Sequence, residues 1–339
     1  MVVKSTVSGT QKTNTAISSN RAVSPRGKIY NDVFETIGGT PLVRASKFMT
    51  KYGLQADILA KLEFFNPLGS IKDRTALAMV ESAENAKAIT PGKTTIIEAS
   101  SGNMAISLAF VAAFKGYKLI IVLPESAPLE RRKLLLFYGA ELVLTAAERG
   151  MKGSAEVAAG LMKQTHDAWT PDQFNNEAGP LAHAEGTAEE IWADTGGKAD
   201  ILICGVGTGA TVTGLAQVLK EKKKGFKIFA VEPAESPVLS GGNPAQHKIQ
   251  GIGVGFKPPL LTKSAIDSII QVPSDQALEV AQEISRLEGF PCGISGGANF
   301  AAAVEVAQMP ESKGKSIIVM VPSFAERYIA SDLFKRIEN

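Results

Sequence analysis

Lys72 is the side chain best placed in this sequence for covalent chemistry. It lies in the run Asn66-Pro67-Leu68-Gly69-Ser70-Ile71-Lys72-Asp73-Arg74, where Asn-Pro followed by Gly is turn chemistry and the residues from Thr75 onward take a helical pattern. An amine at the junction of a turn and a helix, near apolar walls, loses its proton at little cost and can attack a carbonyl. Taken alone, the segment reads more simply as a solvated lysine ahead of a helix. Three further segments rich in glycine and hydroxyl groups alter that balance.

The first is Glu98-Ala99-Ser100-Ser101-Gly102-Asn103-Met104-Ala105-Ile106. A Ser-Ser-Gly-Asn turn at a helix start offers free backbone N–H groups, two hydroxyls and an amide, a set that suits a carboxylate. Serine and asparagine also cap helices routinely, and both readings stand. The second segment, Gly205-Val206-Gly207-Thr208-Gly209-Ala210-Thr211-Val212-Thr213-Gly214, directly follows an expected strand. Its glycines let the backbone approach a phosphate, its threonines donate to one, and the next helix presents its positive end. It lacks the GK[ST] of a P-loop. Gly205, Gly207 and Ala210 fit a dinucleotide fingerprint, which needs an acid about 20 residues on; Glu232 is the competitor for that role. The third segment, Gly293-Ile294-Ser295-Gly296-Gly297-Ala298-Asn299, is expected to be a loop between a strand-like stretch and a helix. Its serine can meet a ligand ring nitrogen or cap the turn.

Taken with the carboxylate loop, the lysine, the cup and the serine fit one cofactor. Pyridoxal phosphate has an aldehyde for Lys72, one phosphate for the cup and a pyridine nitrogen for Ser295.

Positioning these groups falls to short apolar runs alternating with helical patterns. Strands are expected at Asp57–Leu62, Thr95–Glu98, Lys118–Leu123, Glu141–Leu144, Ile201–Val206, Lys227–Val231 and Ser316–Val321. Helices are expected at Ala76–Ala88, Ile106–Phe114, Gly186–Thr195 and Ala277–Glu288, among others. Such alternation implies parallel sheets covered by helices, with functional loops at the carboxyl ends of strands.

Composition excludes several function classes. A formal charge of +2 makes no case for nucleic acid or an anionic membrane, and the run Lys220-Glu221-Lys222-Lys223-Lys224 reads as a solvated helix end. Cys204 and Cys292 lie far apart in apolar runs, so they read as reduced and buried. Three histidines without HExxH or CxxC give no zinc site. No apolar stretch reaches the roughly 18 residues that span a bilayer. Residues 1–28 are rich in Ser, Thr, Lys and Arg, with the first acid only at Asp32. That segment is expected to be a disordered tail; organelle targeting is the alternative, since it weakly resembles a transit peptide but has few arginines and no clear amphipathic face. A cytoplasmic protein is expected.

From Ile29 to about Glu338 the sequence resembles the cysteine synthase (O-acetylserine sulfhydrylase) and β-cyanoalanine synthase family of fold type II pyridoxal-phosphate enzymes. The ordered matches are Glu35-Thr36-Ile37-Gly38-Gly39-Thr40-Pro41-Leu42, the Lys72 segment, Ser101-Gly102-Asn103 and Gly207-Thr208-Gly209. They continue with Val231-Glu232-Pro233, His247-Lys248-Ile249-Gln250-Gly251-Ile252-Gly253, Gly293-Ile294-Ser295, Pro322-Ser323 and Glu326-Arg327-Tyr328. The resemblance implies an α/β fold of two lobes, tryptophan-synthase-β-like, each a mostly parallel twisted sheet flanked by helices, with the cofactor in the cleft between them. It implies a larger domain of residues 29–65 plus 178–339 and a smaller mobile domain of residues 66–177.

The same resemblance implies that Lys72 forms a Schiff base with the cofactor and later serves as general base. Asn103 would bond the ring oxygen, Gly207, Thr208, Gly209 and Thr211 the phosphate, and Ser295 the pyridine nitrogen. Ser100, Ser101, Asn103, Met104 and Gln173 would form the substrate carboxylate site. Acetate would leave an O-activated serine and sulfide would take its place. A homodimer is implied, as is docking of the carboxyl-terminal tail of serine acetyltransferase.

Several positions depart from the family pattern. Met104 and Ala105 stand where Thr and Gly are usual, Ala210 fills the second glycine of Gly-Thr-Gly-Gly-Thr, and Gly296 replaces a serine. Asn176-Glu177-Ala178-Gly179-Pro180 replaces the common Asn-Pro-Ala-Asn. The Thr-to-Met exchange is familiar from β-cyanoalanine synthases, and one methyl in a tight pocket shifts discrimination by about 1–3 kcal/mol. Cysteine synthesis leads, β-replacement with cyanide or another nucleophile follows, and a cofactor-bound regulatory paralogue that captures a partner peptide is third.

Overall fold

Runs of Ile, Val and Leu between helices build two sheets in the computed structural model, which describes residues 27–335 and 337. The expectation for residues 1–28 falls outside the described residues except at Gly27 and Lys28. In chain order the strands are β1 (Leu42–Arg44), β2 (Asp57–Leu62), β3 (Thr95–Ala99), β4 (Lys118–Pro124), β5 (Glu141–Thr145), β6 (Ala168–Trp169), β7 (Ile201–Gly205), β8 (Lys227–Pro233), β9 (Ser268–Val272) and β10 (Ser316–Val321). A six-stranded sheet runs β1-β2-β10-β7-β8-β9 and a four-stranded sheet runs β5-β4-β3-β6. The β1–β2 pair is antiparallel, and the remaining pairings are parallel.

Strand side chains alternate between faces, and both faces of each sheet are covered. On β10, Ile317, Val319 and Val321 join one core with Ile201 and Ile203 of β7. Ile318 and Met320 join the opposite core with Leu202 and Cys204. The smaller sheet repeats this, with Ile96 and Ile121 on one face and Ile97, Ile120 and Val122 on the other. Each such side chain contributes about 1.5–3 kcal/mol on burial. Both cysteines are free and buried, and among the described residues no helix is long and apolar enough to cross a membrane.

The expected strands are all present, and two of them, Asp57–Leu62 and Ser316–Val321, keep both ends. The helix expected over Ala76–Ala88 starts earlier, as Lys72–Asn85, because Ile71 already has helical torsions (φ −57°, ψ −20°). Of Gly186–Thr195 only Glu189–Asp194 is α-helical; His183–Ala188 before it is a wider π turn. Gly186 in that turn faces Arg74, whose Nη1 would stand 3.1 Å from a Cβ there.

The third segment is not a loop. Its helix begins at Ile294 and runs to Gln308. Gly297 sits inside it because a Cβ would stand 2.1 Å from the Ala277 carbonyl oxygen of the packed helix Ser274–Glu288. Close helix contact, not turn chemistry, explains that glycine.

A buried ionic cluster fixes the start of the Lys72 helix. Arg74 Nε and Nη2 donate to Glu63 at 2.8 and 2.9 Å, and Nη1 and Nη2 each donate to Glu190 at 2.7 Å. Fully buried Lys61 pairs with Glu190 at 2.8 Å. Burial pushes the Glu190 carboxyl up, but Arg74 and Lys61 outweigh it and hold the group at about 2. The Gly38-Gly39-Thr40 turn closes on the same cluster, with Gly39 N–H donating to Glu190 at 2.9 Å and Thr40 Oγ1 to Glu63 at 2.7 Å. The Glu35–Leu42 motif thus anchors the lysine helix from behind.

Candidate active site

The carboxyl ends of β3 and β7, the start of the Lys72 helix and the start of the Ile294 helix converge on one pocket. Lys72, Asn103, Gly207, Thr208, Gly209, Thr211 and Ser295 line it, together with Cys204, Gly251, Ser323 and Tyr328. Lys72 is the first residue of its helix, and Ser70 and Ile71 before it are pinned to the far side through the Ser70–Ser323 bridge and Ile71 N–H to Pro322 O at 2.8 Å. Burial pulls the Lys72 amine down to about 8, against the weaker pull of the neighbouring Cys204. Burial likewise pushes the Cys204 thiol up to about 12, so it stays protonated. Among the described residues Lys72 Nζ has no hydrogen-bond or ion-pair partner.

The cup after β7 is closely fitted. The N–H groups of Gly207, Thr208 and Gly209 have no protein acceptor among the described residues. A Cβ on Gly207 would lie 2.5 Å from the Gly251 carbonyl oxygen. Gly209 caps the helix Ala210–Lys222 in a left-handed conformation, φ 85°, that admits glycine readily. Three free N–H groups at a helix start form an anion cradle. Thr211 Oγ1 sits 3.1 Å from His183 Nε2, whose other nitrogen is 2.9 Å from Thr187 Oγ1. Burial and the positive charges of Arg74 and Lys72 hold His183 well below the usual imidazole range, so it is neutral.

The competing acid does not reach this cup. Glu232 is buried and its carboxylate accepts from Leu239 N at 2.7 Å, Ser240 N at 3.1 Å and Ser240 Oγ at 2.5 Å. Its oxygens order the turn after β8, which leaves none for a ribose.

Neither cap reading is realised. The helix Asn103–Lys115 starts after Gly102 without a side-chain cap, and the Ile294 helix starts after Gly293 in the same way. Ser100 Oγ instead accepts weakly from Gly102 N at 3.4 Å, and the Ser101 carbonyl receives Arg131 Nη1 at 2.6 Å. Ser295 is buried, and its hydroxyl has no partner among the described residues. Gln173 lies beside the first loop through Glu98, with Nε2 3.1 Å from Oε1.

Met104 does not join this group. It is 2 % exposed and packs in the core of the four-stranded lobe with Ala105, Met79 and Ile96. The second position of the helix turns its side chain away from the loop. Tyr328 also belongs to the site, although nothing in its sequence neighbourhood signals a role. Its hydroxyl is 2.7 Å from Ser323 Oγ and receives Asn103 Nδ2 at 3.3 Å, across 225 residues of chain.

A reactive amine, a single-anion cradle, an amide and a buried hydroxyl fit the aldehyde, phosphate, ring oxygen and ring nitrogen of pyridoxal phosphate. Comparison with known proteins agrees. The chain is 43% identical over 314 residues to cysteine synthase 3 of Caenorhabditis elegans, covering 93% of each chain. It is 44% identical to the cysteine synthase of Staphylococcus aureus, covering 91% of this chain and 98% of that one. The crystal structure of the Entamoeba histolytica cysteine synthase superposes with a TM-score of 0.90 at 41% identity over 94% of each chain. The family described as "Pyridoxal-phosphate dependent enzyme" matches residues 33–323, and the chain belongs to that family.

Proposed function

We propose that this chain carries out β-replacement on an O-activated serine, making L-cysteine from O-acetylserine and sulfide. The observation that carries the reading is one pocket holding both an unpaired lysine amine near pKa 8 and three unsatisfied N–H groups. Pyridoxal phosphate supplies a carbonyl for the amine and a ring that acidifies a substrate α-proton. Gly207, Thr208 and Gly209 N–H groups with the Thr208 and Thr211 hydroxyls would hold its phosphate. Asn103 would bond the ring oxygen and Ser295 the ring nitrogen. A neutral hydroxyl there withdraws less charge than a cation, which favours loss of a β-substituent over other fates.

Ser100, Ser101 and Asn103 receive the substrate carboxylate on the loop after β3, with Gln173 at its side. Lys72 Nζ takes the proton from the substrate α-carbon. An amine near 8 keeps a sizeable neutral fraction around neutral pH, which a base needs. Acetate departs from the β-carbon, hydrosulfide adds there, and Lys72 returns the proton to the α-carbon. The Met104 side chain is buried in the core of the four-stranded lobe and does not line the Lys72 pocket, so the cyanide reading draws no support from it there. Lys72 and the intact cradle favour chemistry over a purely regulatory paralogue.

The test is product analysis of the holoenzyme with O-acetylserine plus sulfide, against cysteine plus cyanide. Cysteine and acetate in equal amounts, formed faster than cyanoalanine, are expected; the reverse order overturns the reading. Borohydride reduction followed by peptide mapping should mark Lys72, and a label on another lysine removes it from the centre. We further propose a cytoplasmic homodimer whose 66–177 segment closes over substrate and whose cleft accepts a serine acetyltransferase tail. Light scattering, hydrogen exchange with and without a carboxylate ligand, and peptide titration check these three points.

A further inference from the structure

We propose that Glu98 is a positioning residue that sets which end of the Gln173 carboxamide meets the substrate carboxylate. The inference rests on the assignment of Gln173 to that carboxylate. Glu98 stands at the end of β3, 5 % exposed, two residues before Ser100. Its Oε1 accepts from Gln173 Nε2 at 3.1 Å and its Oε2 from Thr170 Oγ1 at 3.1 Å. One carboxylate therefore ties both ends of the turn Thr170-Pro171-Asp172-Gln173. Asp172 inside that turn is left-handed, φ 46°, a conformation that non-glycine residues hold only when their surroundings impose it.

A carboxamide has a donor end and an acceptor end of nearly equal shape. Above about pH 7, where its buried carboxyl is ionised, Glu98 accepts only, so it selects the orientation with Nε2 facing it. The second N–H of that nitrogen has no protein partner among the described residues, and Gln173 is buried. The donor is thus kept for an anionic ligand. Turned the other way, Gln173 would present its carbonyl oxygen to the incoming carboxylate and repel it. A glutamine at 98 keeps the shape and can hold the turn, yet it offers an N–H as readily as an oxygen. It ties Gln173 without choosing its orientation, which separates positioning from mere support.

The experiment compares wild type, E98Q, Q173A and E98Q/Q173A as holoenzymes, with O-acetylserine varied at saturating sulfide. Loss of one well-placed hydrogen bond to a charged group corresponds to about tenfold in affinity. E98Q and Q173A are each expected to raise KM about tenfold with kcat within about twofold. Cofactor absorbance should be unchanged, and E98Q should add nothing in the Q173A background. Thr170→Val, which removes the other tether, should leave KM alone; an equal rise in T170V reassigns Glu98 to loop support and overturns the proposal. E98Q at wild-type KM while Q173A is impaired overturns it as well, and so does an E98Q effect that persists in the double variant. Q173A at wild-type KM defeats the underlying assignment of Gln173 instead. If E98Q does not fold, Glu98→Asp, which withdraws the acceptor by one carbon, carries the same cycle.

Discussion

Gly207→Ala is the sharpest test of the phosphate cup. The added methyl would stand 2.5 Å from the Gly251 carbonyl oxygen, and the atom it meets is backbone. Ordinary carbon–oxygen contact is about 3.3 Å, so roughly 0.8 Å must be recovered by moving one wall. Gly251 cannot simply rotate away, because its own φ of 97° holds the turn His247–Gly253. Gly253 N–H is bonded to Val206 O at 3.0 Å, which ties that turn to the cup itself. The cup therefore opens, and the free N–H groups of Gly207, Thr208 and Gly209 no longer converge. Overpacking of this kind costs about 1–3 kcal/mol, or about 5- to 150-fold in affinity at 1.4 kcal/mol per tenfold. The assay is titration of resolved apoprotein with pyridoxal phosphate, followed by absorbance, with apoprotein melting as a check on folding. Gly160→Ala, in a helix where an added Cβ meets nothing within 4 Å, is the control. G207A binding within twofold of wild type, at unchanged melting, would refute the claim that this backbone grips the phosphate.

Lys72→Ala should abolish borohydride-stable cofactor attachment while the cup still binds free cofactor, read by mass spectrometry after reduction. Arg74→Met leaves Glu63 buried with, among the described residues, only Thr40 and Asn66 as partners; breaking such a pair costs about 3–5 kcal/mol, and calorimetry should show melting lower by about 6 °C or more. Met104→Thr should cost about 2–4 kcal/mol by core loss and leave the KM for O-acetylserine unchanged, as denaturation and kinetics will show; a changed KM at full stability would return Met104 to the substrate site. Burial raises the Glu98 carboxyl to about 7, helped by the negative charge of Asp172 and opposed by Thr170 and Gln173. The folded protein thus keeps a proton that the unfolded chain releases near 4.5. That contribution to stability is full below about 4.5 and is lost as pH rises through about 7; E98Q should flatten this slope in denaturation series between those pH values.

Much of the scaffold was legible because parallel strands buried on both faces leave unbroken apolar runs, as at Ile317–Val321. The short strands β1, β6 and β9 left weaker signals. Two of them have only three and two residues, and their pairing comes from a neighbour instead of their own pattern. Glycine signals a turn locally, so Gly293–Asn299 has the sequence pattern of a loop, whereas in the fold Gly297 records the approach of a second helix. Lys72 and the cup stood out because turn residues adjoin a helix start in sequence. Tyr328 and Glu98 did not, because each acts through a partner distant in the chain.

The departures from the family pattern read differently once their neighbours are known. Ala210 is buried, and a Cβ on Gly179 would come 3.3 Å from its methyl and 3.0 Å from Met79 Cε. Sequence 176–180 thus lacks a side chain at the place where the cup helix has gained one, and the two exchanges share one volume. Gly296 shows the same relation, since a Cβ there would lie 2.6 Å from Cys292 Sγ. The sulfur of Cys292 occupies the space that a serine at 296 would need. Met104 and Ala105 both face the core of the four-stranded lobe. Close-packed interiors respond to single methyl groups by small shifts of whole elements. The exchanged positions lie on or against the helices beginning at Ala210, Ile294 and Asn103, which carry the phosphate cup, Ser295 and the carboxylate loop. None of the exchanged side chains lines the pocket that holds Lys72 and the cup, so an effect of these exchanges on that pocket travels through helix placement.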